Sequence, residues 1–416
     1  MTIHISSPRV QNLFFFWLIA LGIAFGFDLW SYFFLYTSGL LGFFILVQAR
    51  RSNHIDIDWK FYIPILFFAY LVVTPGNPLK DLHVAGIFSA AFFAGVAGWL
   101  LFRDRMHTIL CALPTALAAN FLLSFLRTLL FDSPLIGTSG NAGRLALSFS
   151  HPNVLGELCA LGIFSLLCFP HPNRALRRAG YGLMVILSVM IILSVGRSTY
   201  LGMASVILVF AAIQSWKKAL VSVAILLAVG CAAFPFLPDS EQQRIVNAFQ
   251  APREDETFQS RQPIWDLAYQ KIMEAPFFGH GLRTFKIHYQ EHLDANYETL
   301  KAENTHTEFR YFKHPHSIYL AALYGWGIVG TALLAGCWIM AIRYGHRQGH
   351  HLMLYITAFM LAFGLFDVRF LSRDGALYLF FPIGMAFAHA INQNSTLNAQ
   401  GTFNMLLGNE KLHPES

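Results

Sequence analysis

A histidine beside a proline gives this sequence its clearest signal for proton transfer. His316 follows Pro315 in KHPHSIYLAALYGWGIVG, at the start of a long apolar stretch. Proline suits the beginning of a helix, because it lacks the N–H that the first turn leaves unpaired. We therefore predict that His316 lies in the first helical turn, where the positive end of the helix dipole favours a neutral imidazole. A neutral imidazole can act as a general base, and the alternative is a polar helix cap.

The other histidines of this region are interpreted differently. His314 is expected to point away from His316, as a structural residue or a phosphate contact. His288 and His292 are four residues apart, and His280 precedes them in the same loop. The loop contains no HExxH motif and no aspartate pair of the type used by metal-dependent transferases. We therefore predict neither a metal nor another cofactor.

Arg197 is the strongest candidate for holding an anion. It stands in IILSVGRSTYLGMAS, where two apolar segments meet with almost no loop. An arginine at that depth is unfavourable unless it is paired or hydrated. Because a guanidinium grips phosphate through two parallel hydrogen bonds, we predict that Arg197 binds a lipid-linked phosphate. The alternative is an interfacial arginine whose side chain reaches a lipid headgroup.

Arg261 is the second anion-binding candidate. The segment Ser260 to Pro276 has the apolar spacing of an amphipathic helix that Ser260 caps. A basic residue at the N-terminal end opposes the helix dipole, so an anionic ligand would explain its position, whereas the alternative is a solvated charge. Arg283, in GHGLRTF, is a further candidate.

Four more residues are candidates for contacts with a phosphate or a sugar. Arg144 precedes SFSHPNVLGELCALG, in which Asn153 lies at the predicted start of a helix. Arg369 lies in FDVRFLSRD beside Asp367, and a local salt bridge is its alternative role. The ring of Trp265 could stack on a sugar, although packing is equally expected of it.

These residues need a scaffold, and the composition indicates one that lies in a membrane. The chain has 416 residues, of which 55% are hydrophobic and only 12% charged. Soluble domains are about 25% charged, so an ordinary cytosolic protein is excluded. The apolar runs are continuous, and a spanning helix needs about 20 such residues. We predict an all-α integral membrane protein with about twelve transmembrane helices. The net charge of +6 is assigned to the connections, and no nucleic acid is expected as a partner.

The predicted spans divide the chain into four parts. Most Lys and Arg residues of the short connections lie on one side, which the positive-inside rule makes cytoplasmic, together with both termini. The parts are helices one to nine at 1–237, a large periplasmic loop at 238–315, helices ten to twelve at 316–392, and a cytoplasmic tail at 393–416. The predicted spans are roughly 13–28, 30–48, 61–75, 82–102, 108–131, 153–170, 180–196, 199–215, 219–237, 316–341, 351–370 and 375–391.

Three segments in this order resemble the O-antigen ligase and polymerase superfamily of bacterial membrane glycosyltransferases. They are SVGRSTYLG, RQPIWDLAYQKIMEAPFFGHGLRTF and HPHSIYLAALYGWGIVG, and the resemblance covers about residues 190–340. Arg197 to Leu201 is similar to the ligases' Arg-x3-Leu element. The spacing of His316, Gly327 and Gly330 is similar to their histidine motif. Leu333 departs from that motif, which has Gly, Thr or Tyr in its last position.

The resemblance implies a reaction between two membrane lipids. An O-antigen glycan would pass from undecaprenyl diphosphate to a sugar hydroxyl of lipid A-core, on a GT-C-like fold in the bacterial inner membrane, with no metal or nucleotide. Our assignment of the residues fits that reaction. Arg197 and Arg261 would neutralise the diphosphate leaving group, and His316 would deprotonate the attacking hydroxyl. Direct attack with a single base predicts inversion at the anomeric carbon.

Three other functions remain as alternatives. An O-antigen polymerase would use the same chemistry with a second lipid-linked glycan as acceptor. A protein O-oligosaccharyltransferase is a further relative. A flippase or transporter of lipid-linked sugars belongs to a different class, and its charges would line a path open to both sides of the membrane, whereas here they gather on one face.

Overall fold

The computed structural model describes residues 31–51, 59–74, 78–102, 105–131, 152–194, 196–233, 261–303, 314–347, 349–368 and 379–388, with a few isolated positions besides. Every extended segment of regular structure among these residues is helical. The helices are α1 Ser31–Arg51, α2 Tyr62–Val73, α3 Pro78–Phe102, α4 Met106–Leu110, α5 Ala112–Phe131, α6 Pro152–Cys168, α7 Arg174–Ser194, α8 Arg197–Gln214, α9 Trp216–Ala233, α10 Gln262–Glu274, α11 Phe285–Glu303, α12 Ile318–Arg347, α13 Leu352–Phe363 and α14 Leu379–Ala388.

The helices have the length and composition expected of a helical membrane protein. Within the described residues, 4 helical stretches are long and apolar enough to cross a membrane. They are Leu82–Phe102, Met106–Leu130, Arg174–Ser194 and Ile318–Arg347. Shorter apolar helices accompany them, among them α6, α13 and most of α8. For the described residues, the prediction of helical structure with apolar helices of membrane-spanning length is therefore confirmed. The number of spans stays a prediction, because the first predicted span lies almost entirely outside the described residues.

Helix α7 begins six residues earlier than the predicted span at 180–196. The side-chain oxygen of Asn173 accepts a hydrogen bond of 2.8 Å from the backbone N–H of Ala175 and a longer one from Leu176. This N-terminal cap lets the helix start at Arg174, so the basic residues Arg174 and Arg177 lie on its first turns instead of in a loop. The prediction placed the start of the helix at the start of the apolar run, whereas the helix begins earlier, at the residue that Asn173 caps.

Helix α3 packs closely against α1 on one side and α14 on another. A Cβ at Gly42 of α1 would overlap the carbonyl oxygen of Phe93, and one at Gly384 of α14 would overlap that of Phe92. Small residues at these points bring helix backbones into contact, as in other membrane bundles. The rings of Phe88 and Phe380 then stack at 4.4 Å between centroids. This packing holds α1, α3 and α14 together.

Helix α12 is broken at Gly327, and a turn from the large loop fills the break. Gly327 has φ 61° and ψ −168°, a left-handed conformation suited to glycine. A Cβ there would also overlap the carbonyl oxygen of Phe277. The turn after α10 pairs with the backbone groups on both sides of the break, through Ile328 N to Pro276 O (2.8 Å), Val329 N to Phe277 O (3.1 Å), His280 N to Tyr324 O (2.8 Å) and Gly281 N to Gly325 O (2.9 Å).

The large loop forms a helical layer over the first part of α12. The first of its two helices, α10, matches the predicted amphipathic helix, and α11 follows it in the chain. The predicted capping residue, Ser260, lies outside the described residues, and the N-cap of α10 is Arg261, which makes no side-chain cap hydrogen bond. A separate apolar core joins the layer to α12 and consists of Ile264, Leu267, Ala268, Ile272, Phe285, Tyr289, Leu293 and Tyr324. This core fixes α10, and hence Arg261 and Trp265, relative to α12.

Candidate functional site

The segment 364–368, which follows α13, meets the N-terminal end of α6. Asp367 in this segment is only 5% exposed. One of its carboxylate oxygens accepts a hydrogen bond of 2.6 Å from the side-chain amide of Asn153, and the other accepts one of 2.7 Å from the backbone N–H of Val368. Burying a carboxylate is unfavourable without such partners. The pair therefore ties two elements that are 214 residues apart in the chain.

Arg197 begins α8 next to Asn153. Helix α7 ends at Ser194, and Gly196 is the extended N-cap of α8, so the near absence of a loop is confirmed. A Cβ at Gly196 would lie 3.3 Å from the side-chain oxygen of Asn153. The hydroxyl of Ser194 donates to the carbonyl of Ile191 at 2.7 Å, which satisfies a carbonyl in the last turn of α7. Arg197 is exposed, and it lies at a helix N-terminus, which favours anions.

Arg261 approaches the 364–368 segment from the loop layer. Its guanidinium carbon lies 5.9 Å from the ring centroid of Phe366, which is the residue before Asp367. A guanidinium over an aromatic face is held there by the ring quadrupole. Arg261 and Asn153 therefore contact adjacent residues of one segment, although they come from the loop and from α6.

His316 precedes α12 instead of lying in its first turn, so that prediction is wrong. The helix starts at Ile318, and the carbonyl of Ser317 accepts the N–H of Ala321 at 2.9 Å. The N–H of Ile318, which has no partner within the helix, donates to the carbonyl of Gly364 at 2.8 Å. The physical reason for the later start is the backbone of His316, which is not helical. His316 itself has φ 54°, in the left-handed region. A non-glycine residue there carries strain of about 1–3 kcal/mol, which the surrounding contacts must outweigh.

Trp265 fixes the other side of His316. Its indole N–H donates a hydrogen bond of 2.9 Å to the carbonyl of Pro315. The backbone of His316 is therefore held between Trp265 on one side and the bond from Ile318 to Gly364 on the other. This contact gives Trp265 a structural connection to the histidine that was not predicted from the sequence.

His314 does not point away from His316, contrary to our expectation. The centroids of the two rings are 4.4 Å apart, with an angle of 56° between the ring planes. Both side chains are half-buried. The two imidazoles therefore form one cluster at the start of α12, and His314 is placed to influence the orientation of the His316 ring.

The remaining predicted residues are not brought to this cluster by any described contact. Arg283 lies in the 3-10 turn Leu282–Thr284, where its side chain is exposed. Among the described residues, no contact joins it to Arg261, Asn153 or Asp367. The predicted binding residues Arg144 and Arg369 lie outside the described residues. Asp367 is the residue whose role sequence reasoning missed, because it was interpreted as the salt-bridge partner of Arg369.

The histidines of the loop layer connect helices to one another. The hydroxyl of Tyr324 is 2.8 Å from Nδ1 of His288 and 2.8 Å from the hydroxyl of Thr284. The Nε2 atom of His280 is 2.7 Å from the carbonyl of Lys271. Burial, followed by the charges of Lys271 and His280, lowers the pKa of His288. Within the described part of the chain, no group of 3 or more His, Cys, Asp or Glu residues is arranged to hold a metal ion.

The geometry supports anion binding beside a proton acceptor. The 364–368 segment contacts Asn153 through Asp367, lies beneath Arg261 through Phe366, and accepts a backbone bond next to His316 through Gly364. It thereby links four elements that are distant in sequence, namely the starts of α6, α10 and α12 and the end of α13. Guanidinium groups and an imidazole are the types of side chain that displacement of a phosphate-type leaving group by a hydroxyl requires.

The family comparison matches the part of the chain that contains Arg197, Arg261 and His316. A family model described as O-antigen ligase matches residues 182–335. No curated protein matches the chain. A chain from a peptidoglycan synthase complex, described as coordinating polymerization and crosslinking, has 17% sequence identity and a TM-score of 0.41, over 82% of this chain and 98% of that chain. At that TM-score, the likeness does not establish a shared fold. Over residues 182–335, the chain is therefore similar to the O-antigen ligase family, in agreement with the resemblance predicted from the sequence.

Proposed function

We propose that this protein is an O-antigen ligase that transfers a glycan from undecaprenyl diphosphate to a sugar hydroxyl of lipid A-core. The superfamily implies glycosyltransferase-like activity in general terms. The observation that carries the proposal is the 364–368 segment, which links the start of α12, where His316 lies, to Asn153 and Arg261. Arg197 follows Gly196, which lies beside Asn153, and we expect it to act at the same site, so that a base and two cations work together.

The proposed reaction is a single displacement. The acceptor hydroxyl oxygen attacks the anomeric carbon, and the bond from that carbon to the diphosphate oxygen breaks. The electron pair of the broken bond stays on the diphosphate, where Arg197 and Arg261 offset the developing charge. The hydroxyl proton goes to His316. Attack opposite to the leaving group inverts the anomeric carbon, and the guanidinium groups supply the charge that a metal supplies in other transferases.

Helix lengths support an entry route from within the membrane. Helix α13 has 12 residues, which is about 18 Å, against about 30 Å for the hydrocarbon core. Starting from the cytoplasmic surface, α13 would end below the outer surface, so the 364–368 segment would be recessed into the outer leaflet. Lipid substrates would then enter sideways. The proposal includes twelve spans, a GT-C-like fold, cytoplasmic termini and an active site on the periplasmic side of the inner membrane.

One observation favours a polymerase as the second candidate. Leu333 occupies the position where the ligase motif has Gly, Thr or Tyr. A polymerase would use the same base and the same guanidinium groups, but its acceptor would be a second lipid-linked glycan. The two candidates therefore differ in the acceptor and agree in the chemistry.

A transfer assay with both acceptors separates these functions. The full-length protein in liposomes is given lipid-linked O-antigen, with lipid A-core as the acceptor and a chelator present. We expect glycan attached to lipid A-core, with inverted configuration, at a rate that the chelator does not change. Growth of glycan on the carrier lipid would instead identify a polymerase. Movement of intact donor between leaflets without transfer to either acceptor would identify a transporter.

Replacing Trp265 with phenylalanine tests how Trp265 acts. Phenylalanine keeps an aromatic ring but loses the N–H that donates to Pro315. If Trp265 positions His316, kcat should fall about tenfold while KM for the donor is unchanged, since one hydrogen bond contributes about 0.5–1.5 kcal/mol. The matched control is Trp338→Phe, because the indole nitrogen of Trp338 has no hydrogen-bond partner in the described part of the chain. Normal kcat for Trp265→Phe, with a raised KM for Trp265→Ala, would instead indicate stacking on sugar.

A further inference from the structure

The turn between α10 and α11 exposes two adjacent phenylalanines. Phe277 is 62% exposed and Phe278 is 58% exposed. They follow Lys271 and Glu274, whose side chains form an exposed ion pair at 2.8 Å near the end of α10. The surface of the loop layer therefore changes from charged to apolar within one turn of chain. Such a change is typical of a segment that passes from the headgroup region into the acyl chains.

Backbone hydrogen bonds fix the depth of this turn. The carbonyl of Phe277 accepts the N–H of Val329, and that of Pro276 accepts the N–H of Ile328. Both donors belong to the first turn of the second part of α12, which runs from residue 328 to Arg347 and is about 30 Å long. That length equals the thickness of the hydrocarbon core. If this part spans the membrane, Phe277 lies at the level where the span begins.

Neighbouring side chains continue the apolar surface. Ile328 is 52% exposed beside the turn. The hydroxyl of Tyr70, near the end of α2, donates to the carbonyl of Trp326 at 2.6 Å and is 3.3 Å from that of Phe278. Val73, three residues after Tyr70, is 75% exposed. The outer apolar patch, defined here as Val73, Phe277, Phe278 and Ile328, thus joins the loop turn to two helices of the bundle.

The backbone polar groups of the turn are hydrogen-bonded within the protein, as a segment in the bilayer interior requires. Non-helical backbone at membrane depth is tolerated where its polar groups are paired within the protein. Here the paired groups include the carbonyls of Ala275, Pro276, Phe277 and Phe278 and the N–H groups of Gly279, His280 and Gly281. A turn in water would not need this degree of pairing, because water would satisfy the same groups.

We propose that the turn 275–281 is inserted into the outer leaflet, with phospholipid acyl chains packed against Phe277 and Phe278. Insertion would anchor α10 at a fixed depth, because the turn follows Glu274 directly, and would so set the depth of Arg261 relative to the membrane. The inference concerns the membrane and does not depend on which reaction the site catalyses.

Photolabelling of the unmodified full-length chain tests the inserted turn. The protein is reconstituted into phosphatidylethanolamine and phosphatidylglycerol vesicles that contain a lipid with a diazirine in its acyl chain, and adducts are mapped by mass spectrometry. Ile339, 52% exposed in the middle of α12, is the reference for lipid contact, and the exposed Gln290 of α11 is the reference for water. We expect adducts at Phe277 and Phe278 close to the Ile339 level and roughly tenfold above those at Gln290.

Two results would overturn the inserted turn. One is labelling at Phe277 and Phe278 as low as that at Gln290 while Ile339 is labelled. The other is protection of both phenylalanines by a second copy of the chain, seen as protein crosslinks in place of lipid adducts. The double variant Phe277→Ser and Phe278→Ser should lose adducts at the turn and keep them at Ile339. Since this readout needs no glycan transfer, it can succeed even where the proposed function fails.

Discussion

Replacing His316 with asparagine should lower kcat for glycan transfer by about 10²–10⁴-fold, the range that a positioned general base contributes. Asparagine is the informative choice, because it tolerates the left-handed backbone that His316 adopts (φ 54°). An alanine variant would combine loss of the base with a change in backbone strain. The measurement is kcat of the reconstituted protein with saturating lipid-linked donor, together with donor binding, which should be retained.

The matched control for this variant is His292→Asn. His292 lies on α11 in the loop layer, and none of its described contacts reaches the 364–368 segment. The same exchange at His292 should therefore leave kcat unchanged. A normal kcat for His316→Asn would remove the base from the proposed mechanism. Loss of donor binding in His316→Asn, with little effect on kcat, would assign His316 to substrate binding instead.

The candidate residues could be predicted from the sequence more accurately than the structure around them. His316 was found from the residue type and the proline before it, since both are local properties of the chain. Its conformation depends on bonds from Trp265 to Pro315 and from Ile318 to Gly364, which are partners about 50 residues away in each case. No pattern of spacing specifies such partners, so the first helical turn was predicted where the structure has a left-handed residue.

Helices were predictable because their backbone bonds are local and their apolar runs are long. The break in α12 was not predicted, although Gly327 and Gly330 belong to the histidine motif. Glycine permits both a close approach and a left-handed backbone, and the choice between them here depends on the turn around Phe277. The pairing of Asn153 with Asp367 was missed for the same reason, because the two residues meet only once the bundle has formed.

Replacing Arg197 with glutamine should lower kcat by about 10²–10³-fold, as removal of one stabilising donor from a developing oxyanion does. Arg197→Lys should lower kcat less than Arg197→Gln does, because lysine keeps the positive charge. Its kcat should still fall below that of the unmodified protein, because lysine lacks the planar guanidinium that binds phosphate through two hydrogen bonds. Arg343→Gln on α12 is the matched control, since Arg343 is exposed far along that helix from Gly327. If Arg197 and Arg261 bind one diphosphate, their effects should not be independent. The fold-decrease in kcat of a variant that lacks both arginines should then be smaller than the product of the fold-decreases of the two single variants.

Thermal stability separates this role from a structural one. Arg197 is the first residue of α8, where a positive charge opposes the helix dipole. Removing that charge should leave the melting temperature unchanged or raise it slightly, even as activity falls. A structural arginine would behave in the opposite way, with a lower melting temperature and activity that recovers when the sample is cooled. A fall in both melting temperature and activity for Arg197→Gln, but not for Arg343→Gln, would therefore give Arg197 a structural role. Arg261 would then be the one arginine of the pair that stabilises the leaving group.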